Sequence, residues 1–363
     1  MPNFALTEEQ EEVRRLAQSI AVEQLRANAR RSEKNGDISP ELMQTLAQTG
    51  LTTPFPELYG GSGPIEAMTY ALIAEELGFG DGSLAMNVLG SMMGPLTVAL
   101  AGDENQQKQY IPPFCDEREG YMQRGSLAFA ERTGGYSLVD VSATVCSEGQ
   151  GLVLNGTKRD VIHGKQANPR VALFRREGAT GTGGLCAIVL PERGDGMEIH
   201  EDAQKLGLIA APSASYTFTD AVVPTNCLLG DGEGVVRAAT LYAIIRAGVA
   251  CGMARAALEY AGEYAKGRIA FGRPIVSYQG IAFMIAEMAM KLDAARLLLW
   301  HAATSWDRGA ECETLIREAE AAQHQAIKMA KSATTDGVQI LGGAGFLQDH
   351  PVEMWMRNAA AME

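Results

Sequence analysis

Residues 264–279 read Tyr264-Ala-Lys-Gly-Arg268-Ile-Ala-Phe271-Gly272-Arg-Pro-Ile275-Val-Ser-Tyr-Gln279. The run Gly267 to Gly272 has the glycine spacing of a phosphate loop. It continues Arg273-Pro274, however, where such a loop needs Lys and then Ser or Thr, which excludes an NTPase loop. Its glycines and proline punctuate the chain between two helical patterns. Read locally, Arg268 is a positive charge opposing the dipole at a helix C-terminus.

Outward from this stretch, helical periodicity covers roughly 233–266, 277–307 and 311–341, each on the order of 45 Å at 1.5 Å per residue. Ala247, Gly248, Ala250, Gly252 and Ala254 favour close helix packing. Residues 231–363 are therefore expected to form a helical bundle. At the other end, Thr7 with Gln10 reads as a capping box ahead of Val13, Leu16, Ala17 and Ile20. Ser39-Pro40-Glu41 opens a second helix that Gly50 closes, and periodicity returns at Ile65, Met68 and Leu72 and runs to about Ala101. This makes 1–115 a helical domain, broken at Ile111-Pro112-Pro113. Between them, 116–230 carries short runs (SATVCSE, RVALFRR, LCAIVLPE, SYTFTD) separated by Gly-rich turns at 149–151 and 178–184. With no long helices between its strands, this section predicts an antiparallel barrel or sandwich, so the class is α+β.

The 363 residues, 46% apolar and 21% charged, describe a globular chain with a large core. A formal charge of −13 disfavours nucleic acid, whose phosphates need clustered Lys and Arg. Six cysteines without a CxxC pair fit a reducing cytoplasm. Five dispersed histidines suggest no metal site. The N-terminus lacks a secretory pattern, and Arg246 and Arg255 interrupt the apolar stretch at 241–258, so no membrane span is expected. Gly60-Gly61-Ser-Gly63 lacks the context of a dinucleotide fingerprint, and no GxSxG or HExxH is present.

The order of helical domain, β domain and long-helix bundle, together with five ordered motifs, resembles the acyl-CoA dehydrogenase family of FAD flavoproteins. The motifs are the stretch quoted above; Gln339-Ile-Leu-Gly342-Gly343-Ala-Gly345-Phe346; Pro56 to Gly63; Lys205-Leu-Gly207; and Phe218 to Pro224. The resemblance implies that Arg268, Phe271 and Gln279 reach the FAD of a neighbouring subunit, with Gly342, Gly343 and Gly345 offering bare backbone to it. It places Phe129, Ala130, Tyr136, Asp160 and Ile162 on the chain's own flavin, and Tyr242 and Arg246 on the acyl and pantetheine channel. Core packing and a buried ion pair are the plain alternatives for the last two. The implied activity is α,β-desaturation of an acyl-CoA or carrier-bound acyl thioester, with hydride passing to flavin N5 and electrons to electron-transferring flavoprotein. It implies a homodimer or homotetramer in fatty acid metabolism.

The sequence departs from this family where the chemistry lies. The usual carboxylate base falls about nine residues beyond Arg357, and the sequence stops at Glu363, so it is either cut short or lacks the ordinary base. The alternative position before Arg246 is Ile245. Glu363 and Asp160 are the substitutes, each with a plain reading: a chain end that frays, and a solvated charge beside Arg159. The loop Ala130 to Ser137 loses a hydroxyl at Ala130. Asp160 and Ile162 replace the family's Trp and Thr, removing an indole face and a hydrogen-bond donor. The second expectation is thus a degenerate subunit lending structure to a catalytic relative in a heteromer, and a third is other flavin chemistry, such as oxidase or monooxygenase action.

Overall fold

The computed structural model describes residues 4–363 except 54, 133, 134, 149, 150, 202 and 203. Thr133 and Gly134 of the expected flavin loop, and most of the turn at 149–151, lie outside the described residues.

Helix α1 (Glu8–Ile20) starts where the sequence places it: Thr7 accepts from the Gln10 amide and the Gln10 side chain returns the bond. It runs on through a wide π turn at Ala21–Leu25 into α2 (Arg26–Asn35), which Gly36 ends in the left-handed conformation. Helix α3 (Pro40–Ala47) is capped by Ser39. The expected single run to Ala101 is two helices, α4 (Ala67–Gly80) and α5 (Gly82–Ala101), because Asp81 leaves helical geometry and caps the Leu84 amide. Helix α6 (Glu104–Tyr110) precedes a 3-10 turn at Pro112–Cys115.

The middle of the chain forms β1 (Ser126–Ala128), β2 (Thr144–Glu148), β3 (Gly151–Ile162), β4 (Arg170–Arg176), β5 (Leu185–Leu190), β6 (Met197–Glu201), β7 (Ser213–Pro224) and β8 (Leu228–Asp231). They make one sheet in the order β6-β7-β3-β2-β4-β5-β8, with β1 also on β4. The expectation of a purely antiparallel sheet is corrected: β1 and β2 both run parallel to β4, and the sheet is mixed. The parallel pairings arise because the chain leaves the sheet between β1 and β2 to build the 130–142 loop. That loop is closed by Glu131, whose buried carboxylate accepts from Lys158 Nζ at 2.6 Å and from the amides of Ser142 and Ala143.

Helix α7 (Glu233–Gly267) follows, then the two-residue strands β9 (Ile269–Ala270) and β10 (Arg273–Pro274), α8 (Gln279–Asp307), α9 (Cys312–Leu341) and α10 (Val352–Ala360). Helix α7 is the axis of the molecule, packed on α4, α5, α8 and α9. Its small residues permit this: a Cβ on Gly252 would lie 2.1 Å from the Glu75 carbonyl oxygen, and one on Gly78 2.5 Å from that of Val249. Helices α5 and α7 are long and apolar enough to cross a membrane, contrary to the expectation that no window is. Of those windows, 83% and 89% respectively is buried inside the protein, so both act as core helices. Between α4, α7 and α8 the buried charges pair: Arg255 grips Glu76 and Glu75, and Arg296 of α8 adds a 2.7 Å contact to Glu75.

Candidate active site

The sheet and the bundle meet at the 130–142 loop, and two cavities open there. The outer one, about 590 Å³, lies between Gly135-Tyr136-Ser137 and one face of α9 carrying Glu320, Gln323, His324, Ile327 and Lys328. The inner one, about 40 Å³, lies among Met86, Asp160, Ile162, Lys205 and Leu208. Tyr136, Arg246 and Met362 line both and form the wall between them.

That wall is built by stacking. The Arg246 guanidinium lies 3.4 Å over the Tyr136 ring. Tyr136 in turn makes edge contacts with Phe129 at 5.8 Å and Tyr242 at 6.0 Å. Arg246 also donates to the Met362 carbonyl. Tyr242 is 3% exposed, and burial pushes its phenol well up, so it stays neutral. The loop carrying Tyr136 is fixed from both sides: Arg175 donates to the carbonyls of Leu138, Val139 and Val141, and Glu320 accepts from the Leu138 amide at 2.8 Å. Burial, with Asp140 nearby, raises the Glu320 carboxyl above its ordinary range.

Ala130 and Ile162 are buried at this junction, and the Ala130 carbonyl accepts from the Arg159 amide. Ile162 also packs on α5, where a Cβ on Gly90 would meet it at 2.9 Å. Asp160 sits at φ 54° and pairs with Arg159 at 2.8 Å, its side chain 46% exposed. It is the solvated charge of the plain reading, and it lacks the sequestration a relocated base needs. Arg246 is not the buried ion pair of its plain reading either, since no described carboxylate pairs with it. Glu363 lines the outer cavity and pairs with Lys331. Glu320, Gln323, His324 and Lys328 were missed by sequence reasoning. Their spacing marks one helix face, and nothing local says that this face meets the sheet.

The second group of predicted residues lies elsewhere, on the protomer's surface. Phe271 and Gly272 both have positive φ (49° and 85°) at the tip of the β9–β10 hairpin, and the Phe271 side chain is 98% exposed. A bulky residue held in that region without burial is strain unexplained by packing. Arg268 and Gln279 are exposed beside it. Gly342, at φ 59°, and Gly343 face open space. Gly345 is different: a Cβ there would lie 2.3 Å from the Val338 carbonyl oxygen, so its bare backbone serves its own helix.

Models of the acyl-CoA dehydrogenase N-terminal, middle and C-terminal domains match residues 7–118, 126–221 and 232–363. The chain belongs to the acyl-CoA dehydrogenase family of flavoenzymes. An acyl-CoA dehydrogenase of Bacillus subtilis is 32% identical over 362 residues, covering 98% of this chain and 93% of that one. The butyryl-CoA dehydrogenase structure from Megasphaera elsdenii superposes with a TM-score of 0.83 at 27% identity, covering 99% and 95% of the two chains. PigA, solved as an FAD complex, shares the fold with a TM-score of 0.85 at 22% identity, over 99% and 94%.

Proposed function

We propose that the protein is an FAD-dependent oxidoreductase that removes an α-proton and a β-hydride from an acyl thioester, with the flavin as hydride acceptor. The observation that carries this reading is the outer cavity at the sheet–bundle junction. Its volume falls within the range of about 300–1,000 Å³ usual for small-molecule sites, and its wall holds Arg246, expected on the acyl channel, and Tyr136, expected on the flavin, while Tyr242 lies behind Tyr136 and does not line it. At the nucleotide end, the exposed Arg268, Phe271, Gln279, Gly342 and Gly343 fit a group presented by a second protomer, the guanidinium by charge and the glycines by open backbone. At the ring end, the residues fit a flavin only if Arg246 leaves Tyr136, because the inner chamber alone is too small for a tricyclic ring. Electron-transferring flavoprotein is the proposed acceptor, the assembly a homodimer or homotetramer, and the compartment the cytoplasm.

The same small inner chamber favours a second reading, a degenerate subunit that lends its outward-facing groups to a catalytic relative. Purifying the protein alone and recording its visible spectrum separates the two. A stoichiometric flavin spectrum that bleaches on adding butyryl-CoA supports the first. A colourless protein that gains flavin only with a co-expressed relative sinks it and supports the second.

A further inference from the structure

Near the C-terminal end of α7, Tyr260 and Tyr264 stand about one turn apart. The His350 ring packs edge-on against both, at 5.9 and 5.8 Å between centroids. The Tyr260 hydroxyl hydrogen-bonds His350 Nδ1 at 2.8 Å, which fixes distance and orientation as apolar contact alone does not. Trp355 of α10, fully buried, makes an edge contact with Tyr260 at 5.8 Å. The backbone at His350 is held as well, since Arg30 of α2 donates to its carbonyl at 3.0 Å and to that of Gln348 at 3.3 Å. This cluster joins the two stretches that carry the outward-facing groups. On the α7 side, the Tyr264 carbonyl accepts from the Arg268 amide at 2.8 Å, setting the turn by which Arg268 and the Phe271 hairpin leave the helix. On the other side, His350 closes the segment that Gly342 opens at the end of α9. Gly342 and Gly343 face open space, so this stretch depends on its anchors for a fixed conformation.

We propose that Tyr260 and His350 are positioning residues for the nucleotide half of FAD: their bond ties the glycine segment to α7, so that Gly342, Gly343 and Arg268 meet the nucleotide as one surface. This rests on the reading above that these groups take a nucleotide presented by a second protomer. Neither ring touches the cofactor; each acts through the backbone it holds. Without the tie, bare glycine backbone samples other conformations, and the cost of ordering it falls on binding.

The test is fluorescence titration of the flavin-free protein with FAD and with FMN, which has the flavin ring but no adenylate. The parent is compared with Tyr260→Phe, His350→Phe and His350→Gln. Y260F removes a single hydroxyl, and H350Q keeps a group able to bond that hydroxyl. We expect Y260F and H350F to bind FAD about three- to tenfold more weakly, the weight of one hydrogen bond. FMN affinity should stay unchanged, and H350Q should bind FAD more tightly than H350F. Equal losses for FAD and FMN, no loss of FAD affinity in Y260F, or an H350Q no better than H350F overturn the inference and leave the nucleotide reading intact. A lighter sedimenting species for Y260F also overturns it, by moving the effect to subunit association. A parent that binds FMN as tightly as FAD, or binds neither, brings down the nucleotide reading and this inference with it. Should H350F not fold, Y260F decides alone.

Discussion

Two buried titratable side chains give opposite pH signatures. Burial raises the Asp81 carboxyl from 3.8 to about 6, against the pull of the Leu84 and Ser83 amides. The folded state thus holds that proton more tightly than the unfolded chain. The stability this contributes is present below pH 3.8 and is lost as pH rises through about 6. His163, whose ring meets the Asn87 carbonyl, is pushed by burial from 6.5 down to about 4. Its contribution is present above pH 6.5 and is lost as pH falls through about 4. Urea unfolding across pH 4 to 6.5 should therefore show Asp81→Asn gaining on the parent as pH rises, and His163→Asn losing ground. Parallel pH curves for parent and D81N would refute the first half. At the junction, Tyr136→Ser removes the ring under Arg246, so we expect more bound flavin per protomer, read from visible absorbance after dialysis; an unchanged content would show that the stack does not restrict the ring. Tyr136 and Arg246 were each picked out by the family resemblance, and both line the two cavities. Their stacking was not legible, since they are 110 positions apart and no local pattern records which side chain fills a gap.

Between elements, α4 and α7 approach closely. Gly252→Val places a side chain onto the Glu75 carbonyl, so we expect a loss of about 1–3 kcal/mol in chemical denaturation. A change within experimental error would mean that the helices separate freely. The small-residue stripe on α7 was readable from sequence as a packing face, and the starts of α1 and α3 followed from their caps. What was not readable is capping at a distance. The first amides of α4 receive no bond from Glu66; instead Asp307, at the far end of α8, accepts from Ala67 at 2.6 Å and Met68 at 3.0 Å. Asp307→Ala should cost about 0.5–2 kcal/mol, as a local cap does. The break at Asp81 escaped notice for a different reason: the flanking residues are apolar and small on both sides, so periodicity continues across it.

Across the whole molecule, Phe283, Met290 and Leu297 on α8, together with Phe271 and Phe346, leave large apolar side chains in solvent. A patch of this kind marks an association surface, and in the proposed dimer a second copy covers it. Sedimentation of Phe283→Glu/Met290→Glu should show a lighter species than the parent, with flavin lost in step; an unchanged mass would remove α8 from the interface. The three-part order of the fold was legible because its periodicities differ so plainly, 3.6 residues at both ends and 2 in the middle. The mixed direction of the sheet was not, since strand pairing across the 130–142 loop leaves no trace in composition.

The π turn at Ala21–Leu25 sets the phase of everything before it. Arg14, upstream, must face Glu76, while Arg30 and Glu33, downstream, must face Glu353 and Arg357. Removing one residue from the wide turn would shorten the rod by only about 1.5 Å yet spin one half against the other by roughly 100°, so a single-codon deletion here would aim the upstream arginine at solvent while every downstream contact stayed in place.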